Sequence, residues 1–220
     1  MSQQPAYVRA VPRLHVITDT SLQTRFDHAT LARLAAIGGA DAIQIRDKQA
    51  TDAELSASVL SALQAIAALG SQAALLIDDR VDLVRQTKAH GVHVGPDDAP
   101  PAAARAALGP QAWIGATVND AGMLRALRGA PIDYIGVGPV FPTASKGARV
   151  KPVLGLDGLA ALAAASPWPV IAIGGIRLDT VDEVLAAGAW GIAVIGAVCC
   201  QPDPAAATAA LRDRIDRAGR

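Results

Sequence analysis

Short apolar segments alternate along this chain with longer segments that are rich in Ala and Leu and have helical periodicity. Eight such pairs can be counted, so the pattern predicts eight strands, each followed by a helix. The predicted strands span residues 14–18, 42–46, 73–77, 91–94, 113–115, 134–138, 170–173 and 191–195. The predicted helices span residues 28–37, 52–69, 81–88, 101–108, 120–127, 156–165, 180–187 and 204–218.

This alternation is typical of parallel strands joined by crossover helices, which is the α/β class. Eight βα units close best as a (β/α)₈ TIM barrel, and the rival arrangement is a doubly wound open sheet. The length of 220 residues suits one barrel without an inserted domain. We therefore expect a single TIM-barrel domain over residues 1–220, with an N-terminal extension at 1–12 and a C-terminal helix region at 198–220.

Composition narrows the range of partners. Lys plus Arg and Asp plus Glu both number 20, so the net charge is zero, and we expect no nucleic-acid or membrane partner. No apolar run approaches a membrane span, and Cys199 and Cys200 are adjacent, which favours reduced thiols that pack in the protein over a disulfide. These features predict a cytoplasmic protein, with a homo-oligomer as one possibility.

Polar residues follow the predicted strands, where barrels carry their functional groups. Gln44, Arg46 and Lys48 alternate at strand period through the end of the second predicted strand and just beyond it. Taken alone, they fit a solvated strand end with a surface ion pair equally well. Because polar residues follow most of the other strands too, we expect them to converge on one mouth of the barrel.

Two pairs of carboxylates follow the third and fourth strands, at residues 78–79 and 97–98. Mg²⁺ prefers oxygen ligands and usually takes one or two carboxylates, so these pairs form a candidate magnesium site. The alternative is helix N-capping, because each pair precedes a predicted helix, and capping is the favoured interpretation of Asp78 and Asp97 taken alone. Basic phosphate ligands nearby favour the metal, and Arg46, Lys48 and Lys146 are candidates for that role.

Glycines follow the last two strands, at Gly174, Gly175 and Gly196. α/β barrels commonly bind phosphate there through backbone N–H groups, although Gly also occurs in tight turns for conformational reasons alone. The long irregular stretch at 139–154 is a candidate lid or binding loop. Nucleophilic catalysis has little support, since Ser145 has no nearby His in sequence, and His15 and His93 fit structural roles better.

Several of these segments resemble the thiamine phosphate synthase family, along residues 14–197. The matching segments are QIRDK at 44–48, LIDDRVDL at 76–83, GVHVGPDD at 91–98, IGATV at 114–118, DYIGVGPVFPTASK at 133–146 and AIGGI at 172–176. The resemblance implies a magnesium-assisted dissociative substitution. A pyrimidine carrying a CH₂-diphosphate is joined to the nitrogen of a thiazole phosphate, or of its carboxylate form, and pyrophosphate is released.

The resemblance also implies roles for individual residues. The residues that match contacts with the pyrimidine diphosphate are Gln44, Arg46, Lys48, Thr117 and Lys146. The last four of these are the expected catalytic groups. Asp79 and Asp98 match the Mg²⁺ ligands. The residues that match the thiazole-phosphate site are Thr143, Ser145, Gly175, Ile195 and Gly196.

This sequence departs from the family pattern at three positions. Asp78 stands where the family usually has Asn, Pro96 where it has Gln, and Gly196 where it has Ser. A carboxylate at position 78 is expected to weaken diphosphate binding, or else to act as a further metal ligand, and we favour the first outcome. Two other functions remain as alternatives: a thiazole tautomerase on the same barrel and a non-catalytic barrel that binds phosphorylated metabolites.

Overall fold

The computed structural model describes residues 10–143 and 152–218. Its strands are β1 Leu14–Thr18, β2 Ala42–Ile45, β3 Ala74–Asp78, β4 Gly91–Val94, β5 Trp113–Val118, β6 Tyr134–Val137, β7 Val170–Ile173 and β8 Gly191–Val194. Its helices are α1 His28–Ile37, α2 Asp52–Ala68, α3 Val81–Thr87, α4 Pro101–Leu108, α5 Ala121–Ala126, α6 Gly155–Ala165, α7 Val181–Ala186, α8 Gly196–Cys199 and α9 Pro204–Ala218.

The eight strands form a closed parallel barrel in the order in which they occur along the chain. Closure is made by β1 and β8, where His15 pairs with Ala193 and Val16 with Val194. The predicted (β/α)₈ TIM barrel is therefore confirmed, and the doubly wound open sheet is excluded.

The strands are buried on both faces, as expected for a parallel sheet covered by helices. One set of strand residues, including Val16, Ile43 and Ile77, packs outward against the helices in the larger core cluster. The alternate set, including Ile17, Leu76 and Tyr134, forms a smaller cluster inside the barrel. Because side chains alternate along a strand, the last inward position of each strand lies at the mouth of the barrel.

Helix caps explain where several helices begin. The Asp27 carboxylate accepts a hydrogen bond from the Thr30 N–H at the start of α1, and Thr51 and Glu54 form a reciprocal capping box at the start of α2. The longest described helix, α2, has 17 residues. No helix within the described residues is long and apolar enough to cross a membrane.

The capping interpretation of Asp78 and Asp97 is wrong. The N-cap of α3 is Arg80, with no side-chain cap, because Asp79 takes a left-handed backbone conformation at φ +59° between Asp78 and the helix. Helix α4 begins at Pro101, whose ring suits the first helical position, so its N-cap is Pro100. Both acidic pairs are thus left without the capping role that the sequence favoured for them.

Most element ends lie within one residue of the prediction, and two differences are larger. Strand β5 runs on to Val118, three residues past its predicted end, so that Thr117 belongs to the strand. The short helix α8 has only 4 residues and therefore shows no helical period in the sequence.

The two cysteines are free thiols with different surroundings. Burial raises the pKa of the Cys199 thiol to about 12, which keeps it protonated and inert. Cys200 is exposed, so the packing role expected for both residues holds only for Cys199.

Glycines in β5 and β6 make room for large rings inside the barrel. A Cβ at Gly115 would lie 2.2 Å from Tyr134 Cζ and 2.6 Å from His93 Nδ1. A Cβ at Gly136 would lie 2.9 Å from His93 Cε1. These two glycines therefore allow His93 and Tyr134 to fill the interior below the mouth.

We predict that Gly115→Ala lowers the free energy of unfolding by about 1–3 kcal/mol, because the added methyl must displace a buried ring. Chemical denaturation measures the change. Gly196→Ala is the matched control, since its Cβ would meet only Cys200 Sγ, at 3.8 Å. Equal stability of the two variants would show that the barrel interior is loosely packed at Gly115.

Candidate active site

A cavity of about 1580 Å³ opens at the carboxyl ends of the strands. The lining continues past the mouth to residues of α9, including Ala207 and Arg214, so this volume is larger than the space at the strand ends alone. Most of the predicted site residues line this one cavity: Gln44, Arg46, Lys48, Asp78, Asp98, Thr117, Thr143, Gly175, Ile195 and Gly196. The polar residues at the ends of the strands therefore converge on one mouth of the barrel, as expected from the sequence.

Arg46 lies just after β2 and is held by carboxylates on both sides. Its Nη1 atom lies 2.8 Å from Asp19 Oδ2, and its Nε atom lies 3.6 Å from Asp78 Oδ2. Asp19, at the end of β1, is buried and also accepts hydrogen bonds from the N–H and hydroxyl of Ser21. Asp19 thus fixes the guanidinium at the mouth of the barrel.

Asp78, the last residue of β3, contacts three of the residues predicted to bind the diphosphate. They are Gln44 in β2, and Arg46 and Lys48 just after it. Its Oδ1 accepts a hydrogen bond from the Gln44 amide at 2.8 Å. Its Oδ2 lies 2.7 Å from Lys48 Nζ and 3.6 Å from Arg46 Nε. The carboxylate therefore occupies the donors that an anionic substrate would need.

Lys48 lies between two neighbouring carboxylates. Its Nζ atom is 2.7 Å from Asp78 Oδ2 and 2.5 Å from Asp79 Oδ2. Burial lowers the pKa of Lys48, but the attraction of Asp78 and Asp79 outweighs it, so the pKa is raised overall. Lys48 is a permanent cation in this site, and its half-exposed side chain has room to turn toward a ligand.

The carboxylates of Asp79 and Asp98 come from adjacent strand ends, but only Asp98 lines the cavity, whereas Asp79 is paired with Lys48 and Arg80. The Asp79 N–H donates to the His93 carbonyl on β4, and the Asp98 carboxylate accepts from the Gly95 N–H just after β4. Among residues 10–143 and 152–218, no group of three or more His, Cys, Asp or Glu side chains is arranged to hold a metal. Two hard oxygen donors fit Mg²⁺, which completes its shell with water and substrate phosphate.

Thr117 on β5 is linked to rings below it. Its Oγ1 lies 3.0 Å from His93 Nε2, and His93 Nδ1 lies 3.3 Å from the Tyr134 hydroxyl. Burial raises the pKa of Tyr134, so its hydroxyl stays protonated and can donate to Nδ1. His93 thus links Thr117 at the mouth to Tyr134 inside the barrel.

His15 lies deeper, on β1, and also lines the cavity. The pKa of His15 is lowered to about 4, chiefly by burial and in part by the nearby His93, although the hydrogen bond to the Pro12 carbonyl opposes this shift. His15 is therefore uncharged at neutral pH and adds no cation for an anionic ligand. The structural roles expected for His15 and His93 agree with these contacts.

The glycines after β7 are required by a neighbouring loop. Phe141 N–H donates to the Gly174 carbonyl, and a Cβ at Gly175 would lie 2.6 Å from the Pro142 carbonyl oxygen. Both Gly174 and Gly175 have positive φ. The loop thereby brings Thr143 to the cavity beside Gly175.

At the end of β8, which pairs with β1, Ile195 precedes α8 and Gly196 begins it. The first N–H groups of a helix have no partner within the helix and can face a ligand. Gly196 has space for a side chain, so the absence of the family's serine hydroxyl here is not forced by packing.

Two predicted residues, Ser145 and Lys146, lie outside the described residues. Sequence reasoning missed Asp19, His28 and Arg177. Asp19 follows β1 and holds Arg46, while Arg177 lies at the rim of the cavity beyond β7. Asp19 could have been recognised in the sequence in the same way as the other acidic candidates, because it too lies directly after a predicted strand.

Comparison with known proteins agrees with this geometry. A family model described as thiamine monophosphate synthase matches residues 14–198. A thiamine-phosphate synthase of Salinibacter ruber is 47% identical over 209 residues, which cover 94% of this chain and 90% of that protein. One from Methanoculleus marisnigri is 43% identical over 92% of this chain and 94% of the relative.

Among solved structures, a thiamine phosphate pyrophosphorylase from Pyrococcus furiosus superposes with a TM-score of 0.81 at 36% identity, covering 94% of this chain and 96% of that one. A 3-hexulose-6-phosphate synthase shares the fold, with a TM-score of 0.69 at 19% identity, covering 92% of this chain and 99% of that one. Because the family model covers most of the chain and the relatives match along nearly their full length, this chain belongs to the thiamine monophosphate synthase family.

Proposed function

We propose that this chain is a thiamine-phosphate synthase, a transferase that joins a pyrimidine methyl diphosphate to a thiazole phosphate and releases pyrophosphate. One observation carries the proposal: Gln44, Arg46 and Lys48 converge in one cavity with Asp98, in a chain 47% identical to a thiamine-phosphate synthase. The fold alone does not support this conclusion, because barrels of this kind catalyse many different reactions.

Arg46 and Lys48 are the expected ligands of the diphosphate, with Lys146 as a third cation from the loop. Guanidinium and ammonium groups suit phosphate oxygens, Arg by its planar fork and Lys as a mobile point charge. Diphosphate binding requires Lys48 to leave Asp78 and Asp79, and its half-exposed position allows that movement. Gln44 and Thr117 are expected to orient the pyrimidine half.

Asp79 and Asp98 are the residues expected to hold Mg²⁺. When bound, the ion would offset the negative charge of the diphosphate and so make it a better leaving group. The alternating cations and carboxylates at the ends of β2 and β3 provide the remaining electrostatic environment.

The bond that breaks lies between the pyrimidine CH₂ group and the diphosphate oxygen, which departs with the electron pair. Arg46 and Lys48 stabilise the charge that develops on this oxygen. The new bond forms between the same carbon and the thiazole nitrogen, which must be held alongside it. This substitution needs no protein nucleophile, in agreement with the unreactive surroundings of the cavity histidines.

The thiazole phosphate is expected where the chain leaves β6, β7 and β8, at Thr143, Ser145, Gly175, Ile195 and Gly196. Backbone N–H groups near Gly175 and at the start of α8 suit a phosphate. The proposal also takes residues 1–220 as a single domain, with an extension at 1–12 and a helix region at 198–220. It places the protein in the cytoplasm, where the free thiols of Cys199 and Cys200 are stable.

The purified protein is expected to form thiamine phosphate and pyrophosphate when it is given both phosphorylated substrates and Mg²⁺. Product formation is followed by chromatography and by a pyrophosphate assay. No product at high enzyme concentration would overturn the synthase proposal. Isomerisation of a thiazole carboxylate phosphate alone would identify a tautomerase, and tight binding without turnover a non-catalytic binding protein.

Asp79→Ala and Asp98→Ala are each expected to lower kcat/KM by about 100-fold or more, since charge stabilisation by a metal ion is worth several kcal/mol. Both variants should fold normally and require more Mg²⁺ for half-maximal activity, as measured by metal titration. Asp82→Ala is the matched control, because Asp82 lies exposed on α3 and pairs only loosely with Arg85. Normal activity in both variants would exclude these two carboxylates as the metal site.

Asp78→Asn is expected to lower the KM for the pyrimidine diphosphate by about tenfold, the size of a charge-assisted hydrogen bond of about 1–3 kcal/mol. The amide removes the carboxylate charge that holds Lys48 and Arg46. Steady-state kinetics should show an unchanged KM for the thiazole phosphate. If the Mg²⁺ requirement rises and the KM for the diphosphate does not fall, Asp78 is a metal ligand instead.

A further inference from the structure

His28 is a buried polar residue that lies behind the wall of the active site. It is the first residue of α1, it is only 5% exposed, and it does not line the cavity. Burying a polar ring costs free energy unless its nitrogen atoms find partners. Its two nitrogen atoms face different elements of the barrel.

The Nδ1 atom contacts the end of β1. It lies 2.6 Å from the hydroxyl oxygen of Thr18, which is itself fully buried. The same hydroxyl lies 3.4 Å from the backbone carbonyl of Gln44 on β2. His28 is therefore connected through Thr18 to the backbone of a residue whose amide lies at the mouth.

The Nε2 atom faces the loop that follows β2. It is buried, it has no hydrogen bond to any of the described residues, and it lies 3.5 Å from Asp47 Oδ2. Asp47 stands between Arg46 and Lys48, and its other oxygen accepts hydrogen bonds from the N–H groups of Gln49 and Ala50. Burial raises the pKa of Asp47, but these N–H groups and His28 outweigh it and lower the pKa overall.

We propose that His28 is a positioning residue that fixes the 44–48 segment by contacting Thr18 below it and Asp47 within it. The inference rests on the proposed function, because it assumes that this segment binds the diphosphate. Arg46 and Lys48 point into the cavity, whereas Asp47 between them points back toward His28. Holding Asp47 from behind therefore sets the direction of both cations.

The two halves of the active site should respond differently to the loss of His28. The diphosphate residues Gln44, Arg46 and Lys48 lie in β2 and just after it, while Gly175 and Gly196 follow β7 and β8 on another part of the rim. His28 contacts residues of β1 and of the 44–48 segment. A residue that served only to fill the core would not distinguish the two substrates.

The first test uses inorganic pyrophosphate with Mg²⁺ as the probe and isothermal titration calorimetry as the readout. His28→Phe keeps a ring of similar size and removes both polar contacts. We expect the Kd for pyrophosphate to rise about tenfold, because the hydrogen bond to Thr18 and the electrostatic contact with Asp47 are both lost. The Kd for the thiazole phosphate should stay within about twofold.

His90→Phe is the matched control. His90 also uses a ring nitrogen, accepting a hydrogen bond from the Leu75 N–H, but it precedes β4 at the other end of the barrel. The control is expected to lower the melting temperature and to leave both Kd values unchanged. If His28→Phe likewise lowers only the melting temperature, His28 is a packing residue and the proposal is wrong.

Further variants separate the two contacts and guard against misfolding. His28→Asn can keep a polar atom near Thr18, and His28→Gln can keep one near Asp47, so each should restore part of the pyrophosphate affinity lost in His28→Phe. Thr18→Val, which removes one hydroxyl with little change of shape, should weaken pyrophosphate binding in the same direction. If His28→Phe fails to fold, unchanged affinity in Thr18→Val and His28→Asn would overturn the proposal.

Turnover then distinguishes the failure of this inference from the failure of the proposed function. In active wild-type protein, His28→Phe should raise the KM for the pyrimidine diphosphate and leave the KM for the thiazole phosphate unchanged. If the wild-type protein forms no product but binds pyrophosphate, the synthase proposal fails, and the calorimetric comparison still decides the role of His28. If the wild-type protein does not bind pyrophosphate at all, both proposals are wrong.

Discussion

The hydrogen bonds between β1 and β8 close the sheet, and this closure fixes where every polar loop can lie. With Val16 beside Val194, all eight strands run in one direction around one axis. Every βα loop therefore reaches the same rim, however distant the loops are in sequence. An open sheet would have spread the same loops along an edge, so the convergence of Gln44, Asp78 and Thr117 depends on the ring being complete.

Along part of this rim, cations and carboxylates alternate. Asp19, Arg46, Asp78 and Lys48 follow one another at contact distances of 2.8, 3.6 and 2.7 Å. Asp79 extends the row at 2.5 Å from Lys48. Each buried or half-buried cation is thus paired before any ligand arrives, which limits the cost of placing charge in the barrel mouth.

This pairing has a consequence for ligand binding. A diphosphate adds negative charge to a row in which Asp19, Asp78 and Asp79 already neutralise Arg46 and Lys48. Binding is favourable only if a carboxylate gives up its cation or if a further cation enters. Mg²⁺ held by Asp79 and Asp98, as proposed above, would supply the second route. An uncharged side chain at position 78 would supply the first, and for this reason Asp78 is the most consequential departure from the family pattern.

The sequence predicted the barrel well because each βα unit repeats the same pattern of a short apolar strand and an Ala-rich helix. It predicted the rim residues because polar side chains at strand ends have few structural explanations. It failed where the cause lies in contacts distant along the chain. The role of His28 depends on Asp47, and that of Asp19 on Arg46, pairs that no local pattern connects. The capping interpretation of Asp78 failed because the left-handed backbone at Asp79 is not visible in the sequence.

The glycines show how one residue type can arise from different constraints within a single site. Gly175 is required by the loop before it, since a side chain there would strike the Pro142 carbonyl whether or not phosphate binds. Gly196 has open space around its Cβ position, so nothing in the packing prevents a serine. The glycines after β7 are therefore explained mainly by their packing against the 139–143 loop. Position 196 can therefore take a side chain without any change in the barrel, whereas position 175 cannot.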